Sequence, residues 1–448
     1  MDPTDPKVRP AQTRSDVDRQ ILSLAAPAFA ALIAEPLMVL ADSAMVGHLG
    51  ETPLAGLALG STITTTVIYL FVFLAYTTTT AAARALGSGN ASDAIRKGLD
   101  GMWFAAIIGV IVGPLTWATA PWVVAIFGAE GAVAANALTY VRASAPGITA
   151  MFVVLAATGA LRGLLDTKTP MWVSVGGTIF NAATNYALIY GLGWGITGSG
   201  AGTSTAQWLM AIVLVCIVAV KAHHRGVSLR PSLSSAREVG MAGAPLMVRT
   251  VNLRIAFLVT TWAATRVGAS ALAGHQIVTS VWNLGSYAMD ALAIASQALI
   301  GHSLGTGDHG RVRIALKRCL TWGLWVGFAV GIVFAALSWL LPRAFTTSAP
   351  VIAAATWALI IAGVGQPLAG YVFILDGVLM GADRTKFLAG ASIINLLVYL
   401  PFCCIIAWSA TNLGETWGLL SIWVAFTFVF TAMRALTNRY GSRDLLKE

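Results

Sequence analysis

Apolar residues fill this chain in long blocks, broken only by short charged or glycine-rich stretches. Cut at those breaks, it yields twelve segments: 20–46, 53–86, 94–118, 131–161, 169–193, 200–221, 237–264, 269–302, 310–339, 349–380, 386–408 and 414–436. A helix needs about 20 apolar residues to cross a bilayer. Every segment reaches that length, and the longer ones predict tilt or protrusion. The pattern therefore predicts an all-α polytopic membrane protein with about twelve transmembrane helices.

Charge then orients the spans. With the N-terminus inside, the cytoplasmic breaks hold Arg96 and Lys97; Arg162 and Lys168; Lys221, Arg225 and Arg230; Arg311, Arg313, Lys317 and Arg318; Arg384 and Lys386. The outer breaks hold only Arg266 and Arg343. Lys and Arg gather on the cytoplasmic side of membrane proteins. Both termini are thus expected inside a plasma (cytoplasmic) membrane, and the first apolar run is read as a retained span.

The chain also repeats itself. At an offset of 218 residues, Pro27 meets Pro245, and Gly50, Leu54, Ala55 and Gly56 meet Gly268, Leu272, Ala273 and Gly274. "ALGSGN" (85–90) meets "SLGTGD" (303–308), and Gly159, Leu161, Gly163, Thr167 and Lys168 meet Gly377, Leu379, Gly381, Thr385 and Lys386. Six spans separate the copies, so both insert the same way. Parallel repeats of this kind are a transporter architecture. The expected layout is a cytoplasmic segment (1–19), an N-lobe (20–221), a cytoplasmic linker (222–236), a C-lobe (237–436) and a cytoplasmic tail (437–448), related by a parallel pseudo-twofold axis.

Composition narrows the function. Of 448 residues, 57% are hydrophobic and 10% charged, against about 25% charged in soluble domains. No block remains for a soluble catalytic domain. The net charge of +9 belongs to the loops rather than to a nucleic-acid surface. Cys216, Cys319, Cys403 and Cys404 have no metal spacing. There is no HExxH, P-loop, nucleophile elbow or CxxC, so an enzyme, a metal site and an organic cofactor are not expected.

Ionisable groups inside a membrane are costly and usually face a wet cavity or a partner. Asp42 lies in the outer half of span one. Asn181 and Asn185 lie one helical turn apart in the outer half of span five, at comparable depth. A carboxylate with two amides can load and release a proton, because burial and hydrogen bonding act on it in opposite directions. The same oxygens can hold Na⁺. A satisfied packing cluster is the plainer reading. Glu35 shares Asp42's face, about 10 Å deeper at the helical rise, and precedes Pro36. Two readings stand for it: lining the same cavity, or pairing with Arg142. Pro27 marks a kink site in span one, as Pro245 does in span seven. Asp290 and Asp376 have no acid counterpart in the first half. They either pair with Arg249 or Arg254 as a structural network or handle substrate or ion directly. "GSGAGTS" (198–204) reads as small-residue helix packing.

Four stretches carry a family resemblance: "LADSAMVGHLGETPLAGLALG" (40–60), "GALRGLLDTKTPMWVSVGGTIFNAATNYALIYGLGWGITGSGAGTS" (159–204), "DALAIASQALIGHSLGTGD" (290–308) and "FILDGVLMGADRTK" (373–386). From about residue 20 to 436 the chain resembles the multidrug and toxic compound extrusion (MATE) transporters, especially the DNA-damage-inducible protein F (DinF) branch. The resemblance implies two six-helix lobes that alternate access and export drugs in exchange for H⁺ or Na⁺. It places the ion site on Asp42 with Asn181 and Asn185, Tyr140 and Thr203 as neighbours and Pro27 as the bend. The chain departs from the family's pattern in three places. Some members carry Asp at the position of Asn185, an uncharged amide can stand at Glu35, and some branches have an acid in span seven where this chain has Arg249, Asn252 and Arg254.

The expectation is a monomeric inner-membrane antiporter that exports cationic or lipophilic organic solutes against a cation, H⁺ ahead of Na⁺. The alternative is a flippase for a lipid or lipid-linked precursor, which would present a cationic cavity; Arg142, Arg249 and Arg254 support it. A channel fits less well, for want of a filter-like loop.

Overall fold

The computed structural model describes residues 14–231 and 233–447. Residues 1–13 of the expected terminal segment, Ser232 of the linker and Glu448 of the tail lie outside the described residues. Among the described residues the chain makes twelve helical crossings. The first six are α1 (Arg14–Gly47), α2 (Glu51–Gly87, with a break at Phe71 and Val72), α3 (Ala91–Ile126), α4 (Gly131–Gly163), α5 (Lys168–Tyr186, continued by π-helix Ala187–Gly191) and α6 (Gly195–His224). The second six are α7 (Leu233–Val267), α8 (Ala269–Gly305), α9 (His309–Leu337), α10 (Ala349–Val364 and Gln366–Gly381), α11 (Thr385–Trp408) and α12 (Ala410–Val424, π-helix Ala425–Phe430, and Thr431–Lys447). A short helix, Leu341–Phe345, precedes α10.

Backbone groups in lipid must satisfy one another, which leaves the helix as the element for such segments. Nine of these helices are individually long and apolar enough to span, and α10 is a tenth when its halves are joined across a 50° bend. The bend falls at Gly365–Gln366–Pro367, where proline supplies no N–H to the helical ladder. The other two crossings, α5 and α8, are less apolar because they carry Asn181 and Asn185, and Asp290 and Gln297.

Helices α1–α6 pack mainly on one another, as do α7–α12. The two lobes repeat each other down to the backbone. Gly89 and Gly307, mates in the repeat, both take positive φ (85° and 68°) just past a helix end. Each is followed by a side chain that caps the next helix: Asn90 accepts from the Asp93 N–H at 2.9 Å, and Asp308 from the Arg311 N–H at 3.0 Å. Leu165 and Asp383, the described non-glycine residues with positive φ, are mates too, both at 60°. Lipid gives helices little hydrophobic reason to associate, so close backbone packing carries the lobes. A Cβ on Gly159 would strike the Ala75 carbonyl, and one on its mate Gly377 would strike that of Ala293.

The lobes meet at the end that bears the basic loops. There α2 and α8 cross with no room for side chains. A Cβ on Gly87 would run into the His302 carbonyl, and one on its mate Gly305 into the Arg84 carbonyl. The pseudo-twofold axis passes through this crossing. Around it, Thr80 donates to the Met380 carbonyl at 3.0 Å, and Gln297 donates to the Tyr76 carbonyl at 2.7 Å and to Thr80 Oγ1 at 2.9 Å. On the flank, Asp18 of α1 takes both Arg318 (2.7 and 2.5 Å) and the Trp322 indole (3.0 Å) of α9.

Helix α1 belongs to both lobes. Its first half packs Ile21, Leu24, Ala25 and Ala28 against Ala291, Leu292, Ile294 and Ala295 of α8. Pro27 lies in this half, inside an unbroken helix. A proline leaves the carbonyl four residues earlier without its donor. Here that is Ser23, whose carbonyl accepts from Thr167 at 3.4 Å.

Gly87→Val is expected to hold the lobes apart at the basic end. Overpacking of this kind costs about 1–3 kcal/mol, enough to invert a balanced two-state equilibrium. Spin labels on α2 and α8 should report a longer interlobe distance than in the parent; an unchanged distance distribution would refute the crossing as the point of closure.

Candidate functional site

In the N-lobe the structure brings α1, α4, α5 and α6 together around one carboxylate. Asp42 is 3% exposed, and Asn181 and Asn185 are fully buried. Asn185 Nδ2 donates to Asp42 Oδ1 at 2.5 Å, and Thr203 Oγ1 lies 3.3 Å from Asp42 Oδ2. Asn181 Nδ2 donates to Thr203 Oγ1 at 3.4 Å, and Asn185 Nδ2 also lies 3.5 Å from Asn181 Oδ1. Tyr140 is buried beside them and shares a cavity of about 100 Å³ with Asp42, Thr203, Gln207 and Glu35.

The geometry suits two protonation states. The Thr203 hydroxyl has one hydrogen and two claimants, Asp42 Oδ2 at 3.3 Å and the Ser199 carbonyl at 3.0 Å. With Asp42 ionised, the hydroxyl can turn to the carboxylate. With Asp42 protonated, the acid can donate to Thr203 while Thr203 donates to Ser199. Two further oxygens, Asn185 Oδ1 and Ser199 Oγ, are buried without a hydrogen-bond partner. Buried polar atoms are nearly always paired, so a spare oxygen on the amide that holds the Asp42 carboxylate is of the kind a small hard cation takes. Gly202 makes the approach possible, because a Cβ there would run into the Asn185 amide oxygen.

Glu35 lines the same cavity as Asp42. Arg142 points elsewhere: it is exposed, with its guanidinium 5.0 Å over the Trp117 ring. The C-lobe mates of Asp42, Asn181 and Asn185 are Thr260, Tyr399 and Cys403. They are buried and uncharged at these positions, with Thr260 and Tyr399 hydroxyls 2.8 Å apart.

The C-lobe places its charges elsewhere. Asp376 Oδ2 accepts from Arg249 at 2.5 Å and Arg434 at 2.6 Å, and Oδ1 accepts from Asn438 at 2.7 Å. This cluster ties α10 to α7 and α12. Arg254 and Asp290 do not join it by a hydrogen bond; both face a cavity of about 330 Å³ between the lobes.

Gln207, Arg434 and Asn438 were not singled out in the sequence, and Ser199 and Gly202 only within the small-residue stretch 198–204. Arg434 and Asn438 had a usable signal, an arginine inside an apolar segment with an amide four residues on, the same face of one helix. Ser199 and Gly202 had none, because small residues on a packed helix look alike until the partner helix is placed.

Removing the charge of Asp376 leaves two buried guanidinium groups without a counterion. Asp376→Asn is expected to cost about 3–5 kcal/mol and to lower the melting temperature in detergent. Adding Arg249→Met should recover part of the loss; equal melting of parent and single variant would mean that the cluster does not hold these helices.

The repeated helical fold recurs in known proteins. The family profile described as MatE matches residues 27–187 and again 245–405, two windows related by the 218-residue offset. Protein DETOXIFICATION 44, chloroplastic, of Arabidopsis thaliana is 30% identical, with 95% of this chain and 83% of that protein covered. Two solved structures share the fold. The Vibrio cholerae MATE transporter VcmN in its bent form has a TM-score of 0.85 at 18% identity, covering 96% of this chain and 98% of that one. A MOP superfamily transporter from Pyrococcus furiosus has a TM-score of 0.85 at 20% identity, covering 97% and 98%. A repeated helical bundle, a doubled family match and a relative matched over most of its length together show that this chain belongs to the MATE family of multi-pass membrane transporters.

Proposed function

We propose that this transporter is a secondary antiporter, exporting an organic solute in exchange for a cation that binds at Asp42. The observation that carries the reading is the buried Asp42 carboxylate on α1, the helix whose other half is packed into the opposite lobe. An ion at Asp42 changes the packing of α1 against α5 and α6. Pro27, where the helical ladder lacks a bond, is the place where that change bends α1. A bend there alters the contact of α1 with α8, and so the balance between closed and open basic ends. Ion and solute need only differ in affinity for the two states.

H⁺ is the first choice of ion, because the Thr203 hydroxyl can serve both states of the acid. Na⁺ is the second, on the spare oxygen of Asn185 beside Asp42. No cofactor takes part. We place the chain in the DinF-like branch and in a plasma (cytoplasmic) membrane, with the basic loops and both termini inside, acting as a monomer. The lobes are then an N-lobe (20–221) and a C-lobe (237–436), and the arrangement with a closed basic end is the outward-facing one. A lipid flippase is the second reading, favoured by Arg249 and Arg254 in the central cavity.

Asp42→Asn keeps the size of the side chain and removes its proton-carrying and cation-binding charge. In proteoliposomes with an imposed pH or Na⁺ gradient, it is expected to reduce gradient-driven solute transport at least tenfold at unchanged melting temperature. Undiminished transport by a folded Asp42→Asn protein would overturn the antiport reading.

A further inference from the structure

The central cavity has walls of two kinds. Tyr69, Phe257, Trp282, Tyr287 and Phe373 make it aromatic. Arg249, Arg254 and Arg434 make it cationic, against Asp290 as the acid in the same wall. Behind the wall Asp376 is shared by Arg249 and Arg434. One carboxylate between two guanidinium groups leaves a positive charge over, and Arg254 adds a second. Asp290 offsets one of them.

Arg254 is the distinctive group. It is exposed to the cavity, and its guanidinium lies 4.7 Å over the Tyr69 ring. Among the described residues no carboxylate lies within salt-bridge distance of it. The stacking fixes the plane of the guanidinium and leaves the edge, with its forked N–H donors, free to take an acidic group.

The same geometry disfavours a cationic solute. A bound cation is stabilised over an aromatic face. The face of Tyr69 already carries Arg254, and that of Phe373 carries Arg434 at 5.8 Å. A second cation would meet like charge where the protein walls screen it poorly. A flat apolar body can still lie against Phe257, Trp282 and Tyr287, provided that its charge is negative.

Building on the antiport reading, we propose that the carried solute is an organic anion with a flat aromatic body, its acidic group held by Arg254. An anionic lipid headgroup offers the same acidic chemistry on acyl chains, so the test must separate the two sources.

Fluorescein and rhodamine 123 share a fused three-ring scaffold and carry opposite charge at neutral pH. Equilibrium binding of each to the full chain in lipid nanodiscs, read by fluorescence anisotropy, requires no gradient. Fluorescein is expected to bind at least tenfold more tightly than rhodamine 123. Arg254→Gln should remove that advantage, weakening fluorescein and, with the like charge gone from the Tyr69 face, leaving rhodamine 123 binding equal or tighter, and Arg254→Lys should restore part of it. Tighter binding of rhodamine 123, or fluorescein binding indifferent to Arg254→Gln in a protein of normal melting temperature, would overturn the proposal. Arg254-dependent translocation of a fluorescently labelled phosphatidylglycerol, with no fluorescein binding, would overturn it in favour of a headgroup. If fluorescein binds as expected but Asp42→Asn still transports, the antiport reading fails while the anion site stands.

Discussion

Two glycines, Gly87 and Gly305, hold the molecule in its present shape. They face each other across the pseudo-twofold axis, each against the backbone of the other's helix. Nothing larger than hydrogen fits. Because this contact is at one end of two long helices, closing it sets the lobes together at the basic loops. The hydrogen bonds of Thr80 and Gln297 and the Asp18–Arg318 pair gather around it. The central cavity and its two walls follow from that arrangement. A crossing with no side chains is also one that a small change of angle can undo, which suits a joint.

The repeat gives both lobes one frame and leaves their polar chemistry free to diverge. Caps, turns and even two strained residues, Leu165 and Asp383, are duplicated at the same offset. The polar residues are not. Asp42, Asn181 and Asn185 face one another in the N-lobe, while their mates Thr260, Tyr399 and Cys403 form a neutral, buried set. Asp376 and its two arginines have Thr158 and Ala31 as mates of Asp376 and Arg249. At the Asp42–Thr260 position only the N-lobe holds a carboxylate, and at the Asp376–Thr158 position only the C-lobe does. The C-lobe instead fixes its charges to one another and presents their surplus to the central cavity.

Helix α1 joins these two chemistries. Its first half is a C-lobe contact through Leu24, Ala25 and Ala28, and its second half carries Glu35 and Asp42. Pro27 lies among the C-lobe contacts, ahead of both acids, and Thr167 takes the carbonyl that the proline leaves free. A helix so divided can respond to an ion at one end by changing how it packs at the other, without breaking hydrogen bonds that lipid could not replace.

Much of this was written in the sequence. Long apolar blocks dictate helices, because lipid offers a backbone no other partner. The 218-residue register dictates two like lobes, and Asp42, Asn181 and Asn185 announce themselves by their cost in an apolar segment. Position along a helix also placed Glu35 on the face of Asp42. What the sequence left open was settled by packing between distant segments. Glu35 lines the Asp42 cavity while Arg142 stacks on Trp117; Asp376 takes Arg249 and an unsuspected Arg434; Arg254 and Asp290 face the central cavity. Periodicity gives the face of each helix, but the partner of a face is a matter of three-dimensional placement. A charge in a membrane segment must therefore be met by something, and only the tertiary structure decides by what.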